Sequence, residues 1–117
     1  MENLTTKEEE MMELFWTKGP MFVNEIRESY ENKEMPHSST ITSCTHRLEE
    51  KGFLGHLTYG GSFQYYPIIS RQSYGHTCLC EVINKCYDSS FPNVILMLLD
   101  NGDISLEELK TLIRSAE

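Results

Sequence analysis

One stretch, residues 38–67, limits the fold of this chain more than any other: S-S-T-I-T-S-C-T-H-R-L-E-E-K-G followed by F-L-G-H-L-T-Y-G-G-S-F-Q-Y-Y-P. In its first part Ile41, Cys44 and Leu48 recur at i, i+3 and i+7, the spacing of one apolar stripe on a helix. Ser39, Thr40, Thr42, Ser43, His46 and Arg47 take the other sides. Lys51-Gly52 supplies a basic last turn and a glycine just past the helix end. Two runs of aromatic and β-branched residues follow, Phe53–Tyr59 and Ser62–Ile68, joined by Gly60-Gly61. A Gly-Gly pair between such runs predicts a two-residue hairpin with a type I′ turn, which asks both central residues for φ > 0. A helix running straight into a hairpin is the closing half of a winged helix-turn-helix. Its outer face is short and rich in hydroxyls. Such a face suits a nucleic-acid groove, where Ser and Thr bond bases or phosphates and Arg reaches a guanine edge or a phosphate.

Upstream, Thr5 with Glu8 and Thr6 with Glu9 form two overlapping capping boxes that open a helix. Met11, Met12, Leu14, Phe15 and Trp16 give it an apolar side, with Trp16 as a core anchor, and Gly19-Pro20 ends it. A second short helix begins at Phe22-Val23 and continues its stripe through Ile26 and Tyr30. The polar run 31–36, ending in Pro36, reads as a loop. Downstream, residues 72–87 carry Leu79, Val82, Ile83 and Cys86 on one side of a helix. Ser90-Phe91-Pro92 opens another, whose core Val94-Ile95-Leu96-Met97-Leu98-Leu99 is apolar nearly all round and is expected to be buried. Asn101-Gly102 stops it, and a capping box from Ser105 to Glu108 starts a last stripe of Leu106, Leu109, Leu112 and Ile113. The reading is an α+β fold, mostly helical with a small β-hairpin. Residues 1–70 form a winged helix-turn-helix domain, and 71–117 a helical dimerisation domain.

Composition sets limits on that reading. The 117 residues carry a formal net charge of −8, with six basic against eleven acidic side chains in residues 1–70 and four against seven in the remainder. A nucleic-acid binder is expected to carry a basic footprint, so phosphate attraction by a single copy should be weak. No apolar run reaches the roughly 20 residues of a membrane span, which predicts no membrane insertion. The acidic start M-E-N-L-T-T-K-E-E-E is no signal peptide. Without an export signal, Cys44, Cys78, Cys80 and Cys86 read as reduced thiols in a cytoplasmic protein. No phosphate-cradling glycine loop, nucleophile elbow or recognisable acid pair is present, so no catalytic residues are assigned.

Leu4-Thr5, Glu8, Met11-Met12, Leu14-Phe15-Trp16 and Asn24-Glu25-Ile26 resemble the opening of the penicillinase-repressor family, the BlaI, MecI and CopY type. Thr40-Ile41-x-Ser43-x-x-x-Arg47-Leu48-x-x-Lys51-Gly52 is similar to that family's third helix, usually T-V-x-T-x-L-x-R-L-x-x-K-G. Tyr65-Tyr66-Pro67 sits where the family leaves its wing, and the resemblance runs over about residues 4–117. It implies a homodimeric transcriptional repressor with each winged helix in a major groove of a palindromic operator and the C-terminal helices as dimer interface. In the family's β-lactam branch a membrane sensor pathway leads to cleavage at an Asn-Phe pair in the penultimate helix; here the corresponding residues are Met97-Leu98. The sequence also departs from the family at Ser39, often basic in relatives, and at the wing tip Tyr59-Gly60-Gly61-Ser62, commonly basic. Both departures remove phosphate contacts.

The expected contacts with double-stranded operator DNA are Ser39, Thr40, Thr42, Ser43, His46 and Arg47 in the groove, with Tyr59 and Gln64 on the backbone. The expected dimer interface comprises Leu79, Ile83, Val94, Ile95, Leu98, Leu99, Leu109, Leu112 and Ile113. No cofactor or metal is expected. Residues two apart on a helix, as Cys78 and Cys80 are, point about 200° from one another and do not easily share an ion. His37, His46, His56 and His76 show no ligand spacing. Two rival readings remain: a winged helix turned protein-interaction module, and a copper- or thiol-responsive repressor using Cys78, Cys80 and Cys86.

Overall fold

The computed structural model describes residues 3–30 and 36–117. Its elements run α1 (Thr6–Lys18), β1 (Met21–Phe22), α2 (Val23–Ser29), α3 (Ser38–Glu50), β2 (Leu54–Tyr59), β3 (Ser62–Pro67), α4 (Arg71–Cys86), α5 (Phe91–Asp100) and α6 (Leu106–Ala116). The loop read at residues 31–36 falls, for 31–35, outside the described residues. By its contacts the chain divides into two compact units, Met1–Gly75 and His76–Glu117.

Of the two capping boxes open to α1, the chain adopts the first. Thr5 is the N-cap, its hydroxyl accepting from the Glu8 amide while Glu8 accepts from the Thr5 amide at 2.8 Å. The alternative box from Thr6 to Glu9 does not form, because Thr6 is already helical. Met11, Met12 and Phe15 are buried; they pack with Met21, Ile26, Ile41, Cys44, Leu48, Phe53, Leu54 and Tyr65 into the core of the first unit. Trp16 is half-buried at the rim of that core rather than sealed in it, and its indole N–H donates to the Ile69 carbonyl at 2.8 Å. Tyr74, in the first turn of α4, packs its ring on both Trp16 and Phe53.

The third helix stops as its sequence predicts. Gly52 takes φ +84°, the Phe53 amide reaches back to the Leu48 carbonyl (2.9 Å) and the Gly52 amide to Glu49 (3.0 Å). These two bonds make a Schellman motif, which satisfies carbonyls the helix end leaves without partners and turns Phe53 into the core. The hairpin also forms about Gly60-Gly61, with His56 opposite Tyr65 and Tyr59 opposite Ser62. Its turn differs from the expected type I′: Gly60 has φ +59° and Gly61 has no positive φ. A positive φ at the first central position alone is the type II′ requirement, which also matches the twist of a hairpin.

The hairpin is not the whole sheet. Phe22, expected from sequence to begin the second helix, instead joins Met21 in a strand antiparallel to Tyr65 and Gln64, so the sheet has three strands in the order β1-β3-β2. Two residues are too few to show an alternating pattern, which is why this strand escapes sequence reading.

The second unit is helical. Ser90 caps α5, and Ser105 with Glu108 forms the capping box of α6. Asp88 and Ser89, both at positive φ, make the turn between α4 and α5. Contrary to expectation, α5 has no buried side chain in the single chain; Phe91, Ile95 and Leu96 are all exposed. Ile83 is the unit's buried apolar residue. Three short helices have too little mutual surface to enclose so apolar a set.

Candidate nucleic-acid interface

The apolar stripe of α3 turns inward and so decides what faces out. Ile41, Cys44, Thr45 and Leu48 are buried, while Ser39, Thr40, Thr42, Ser43, His46 and Arg47 are exposed, as their spacing predicts. Thr45, the one polar residue of the inward set, donates its hydroxyl to the Thr42 carbonyl. Thr42 in turn donates to the Ser38 carbonyl at 2.8 Å. Its hydroxyl proton is therefore engaged, and outward it offers lone pairs. Burial pushes the Cys44 thiol up despite the nearby Arg47, which keeps this cysteine protonated and unreactive.

Beneath the outer face lies a buried ion cluster that the sequence did not announce. Glu8, in the first turn of α1, has no exposed surface. One carboxylate oxygen accepts from Lys51 Nζ at 2.7 Å, and the other lies 3.4 Å from Arg47 Nε without hydrogen-bond geometry. Burial works to raise the Glu8 pKa, but the Lys51 ammonium and the Thr5 amide outweigh it and hold the carboxyl below its ordinary value. Two cations at the end of α3 are thus tied to α1, and Arg47 is drawn toward Glu8 although half of its side chain is exposed. A helix-opening T-x-x-E box read as a local cap was the one signal for this long-range role.

Between α3 and the hairpin runs a groove of about 600 Å³, lined on one wall by Thr42, Ser43, His46, Glu49 and Glu50 and on the other by His56, Phe63 and Tyr65. Strand alternation explains the second wall. His56 faces Tyr65 and Thr58 faces Phe63 across the ladder, so these side chains share the sheet face that also buries Leu54. His56 stacks on Phe63 with ring centroids 4.3 Å apart. Tyr59 and Gln64 belong to the opposite face, where Phe22 is paired with Gln64 and touches the Tyr59 ring. The structure therefore brings Thr42, Ser43 and His46 together with His56, Phe63 and Tyr65, and sets Tyr59 and Gln64 apart from them. Gln64 is half-buried and Tyr59 is exposed at the hairpin tip.

In the second unit, Leu79, Ile95, Leu112 and Ile113 are exposed, Val94, Leu98, Leu99 and Leu109 are half-buried, and Ile83 is buried within the single chain. The four cysteines are free. Cys80 lies 3.5 Å from His76 one turn back on α4. Among the described residues no group of three or more His, Cys, Asp or Glu is placed to hold a metal ion.

Against known proteins, residues 4–117 match the family model described as penicillinase repressor. The methicillin resistance regulatory protein MecI of Staphylococcus aureus is 27% identical over 109 residues, covering 93% of this chain and 89% of that protein. The penicillinase repressor of Bacillus licheniformis is 26% identical over 114 residues, or 97% of this chain and 89% of that protein. Among solved structures, the DNA-binding domain of the repressor BlaI matches 62% of this chain and 88% of its own length, with a TM-score of 0.54 and 28% identity.

Proposed function

The chain belongs to the penicillinase repressor family, and from that premise we propose that it is a transcriptional repressor that binds palindromic operator DNA as a homodimer in the cytoplasm. One observation carries the reading: α3 presents the exposed hydroxyl side chains Ser39, Thr40, Thr42 and Ser43, followed by His46 and Arg47, beside a hairpin wing, on a unit that shares its fold with the BlaI DNA-binding domain. Ser39, Thr40, Ser43, His46 and Arg47 would enter the major groove with Thr42 as an acceptor, and Tyr59 and Gln64 would meet the backbone from the far side of the wing. The roles proposed for the two regions are DNA binding by residues 1–70 and dimerisation by 71–117.

Dimerisation is supported by what the single chain leaves uncovered. Leu79, Val82, Ile95, Leu96, Leu112 and Ile113 are each at least 43% exposed on three consecutive helices. So many large apolar side chains left exposed on one small unit favour an interaction site. A second copy offers the same patch in return, as two-fold symmetry requires, and a two-fold dimer matches a palindromic site. Among the described residues no helix is long and apolar enough to cross a membrane.

The test is a salt-titrated mobility shift on the DNA upstream of this protein's own gene, with an unrelated duplex as control. Preferential binding by two chains per duplex, weakening steeply with salt, is the expected result. No preference for the upstream DNA down to low salt would overturn it.

A further inference from the structure

We propose that His46 and His56 are phosphate contacts that act in their protonated form, so that the protein takes up protons on binding DNA and binds more tightly as the pH falls; this rests on the DNA-binding reading above. Each wall of the groove between α3 and the hairpin contributes one imidazole, and α3 supplies a carboxylate to each. His46 Nε2 lies 2.9 Å from Glu50 Oε1, and His56 Nδ1 lies 2.6 Å from Glu49 Oε2. A carboxylate only accepts, so in the neutral ring it fixes the N–H on the nitrogen that faces it. The second nitrogen, Nδ1 of His46 and Nε2 of His56, then carries a lone pair. That lone pair repels a phosphate oxygen. One added proton turns it into an N–H donor and adds a positive charge, without disturbing the bond to the glutamate.

The remaining charges make this proton consequential. With both rings neutral, Glu49 and Glu50 give the groove two negative charges; with both protonated, the groove is balanced. Tyr65 from β3 is the other titratable side chain on its walls. Between residues 38 and 67 the single permanent cation outside the α3 stop is Arg47, and it is shared with Glu8. Within that stretch two protonated imidazoles per chain therefore supply most of the positive charge outside the α3 stop. Stacking on Phe63 holds the His56 ring in place for the contact.

Fluorescence anisotropy at fixed ionic strength would be read near pH 6 and near pH 8, on the DNA upstream of this protein's own gene and on an unrelated duplex of equal length. Binding should be about tenfold tighter or more near pH 6, by a similar factor on both duplexes, because phosphates carry no sequence information. The salt dependence should steepen as well, by about one released counterion per contact. Titration calorimetry in buffers of different ionisation heat should show net proton uptake. His46→Gln and His56→Gln should each remove part of the pH response and together abolish it, whereas His37→Gln, at the exposed start of α3, should keep it. A flat pH profile, no proton uptake, or a response that survives the double substitution would overturn the inference while leaving DNA binding intact. Loss of the response in His37→Gln would also overturn it. Absence of binding to either duplex at both pH values would remove the DNA-binding reading and this inference together. Should the double variant fail to fold, the calorimetry on the unmodified chain decides.

Discussion

Glu8 is the side chain on which two levels of structure meet. It closes the capping box that starts α1, and it neutralises Lys51 and approaches Arg47 at the far end of α3. A fully buried carboxylate is tolerated when charge and hydrogen bonds replace the water it loses. Glu8→Gln keeps the cap acceptor and removes the charge, so we expect a loss of about 2 kcal/mol, read as a lower urea midpoint at unchanged slope. The sign of its pH dependence follows from the lowered folded pKa. Such a group contributes stability that is present above the unfolded pKa and is lost as pH falls through the lower folded value. The stability gap between the native chain and Glu8→Gln should therefore be full near neutrality and shrink on acidification below about pH 4. Ser43 belongs to the same scale but to function. With Ser43 reading a base edge, Ser43→Ala should weaken the preferred duplex by about 1 kcal/mol and leave the unrelated duplex nearly unchanged; equal weakening on both would reduce it to a backbone contact.

At the scale of elements, local chemistry was legible and tertiary chemistry was not. The caps at Thr5, Ser90 and Ser105 and the glycine stop at Gly52 form as their residue types predict, because each depends on neighbours within a few positions. The outward face of α3 was equally legible, since helical spacing separates Ile41, Cys44 and Leu48 from the hydroxyls. What escaped depends on distant partners. β1 exists by virtue of β3, and Glu8 is buried by virtue of Lys51. The groove wall of His56, Phe63 and Tyr65 follows from the hairpin register and strand alternation. That register was already implied by the Gly-Gly turn, so this much was available to a closer reading. The turn itself separates its two glycines. Gly60→Ala forces a side chain into positive φ and should cost about 1 kcal/mol. Gly61→Ala meets open space without that strain and should be nearly neutral. Thermal melts of the two variants would show the difference, and equal losses would reject the type II′ assignment.

For the whole molecule the decisive facts are its acidity and its uncovered helices. A net charge of −8 makes DNA binding depend on the few cations that face the duplex and, in the homodimer proposed above, on presenting them twice. Ile113 and Leu112 are 52% and 58% exposed in the single chain, so replacing them removes little from its own core. If the native chain is the homodimer proposed above and sediments at twice 13.6 kDa, Ile113→Lys should shift it toward the single chain while the far-ultraviolet spectrum stays helical. Retention of the dimer would place the interface elsewhere.

The pairing of Met21 with Tyr65 has a bearing on how the molecule is made. Together with the Trp16 bond to Ile69 and the ring contacts of Tyr74, it makes the first helix depend on chain synthesised some fifty residues later. Such non-local closure is slow, and while the ribosome is still reading the wing it leaves Met11, Met12 and Phe15 with only the part of their core that α2 and α3 supply. A chain released after Pro67 should accordingly be protease-sensitive, and one released after Gly75 protected. During synthesis the apolar stripe of α1 is thus only partly covered, and the first turn of α4 is the last piece of that cover to arrive.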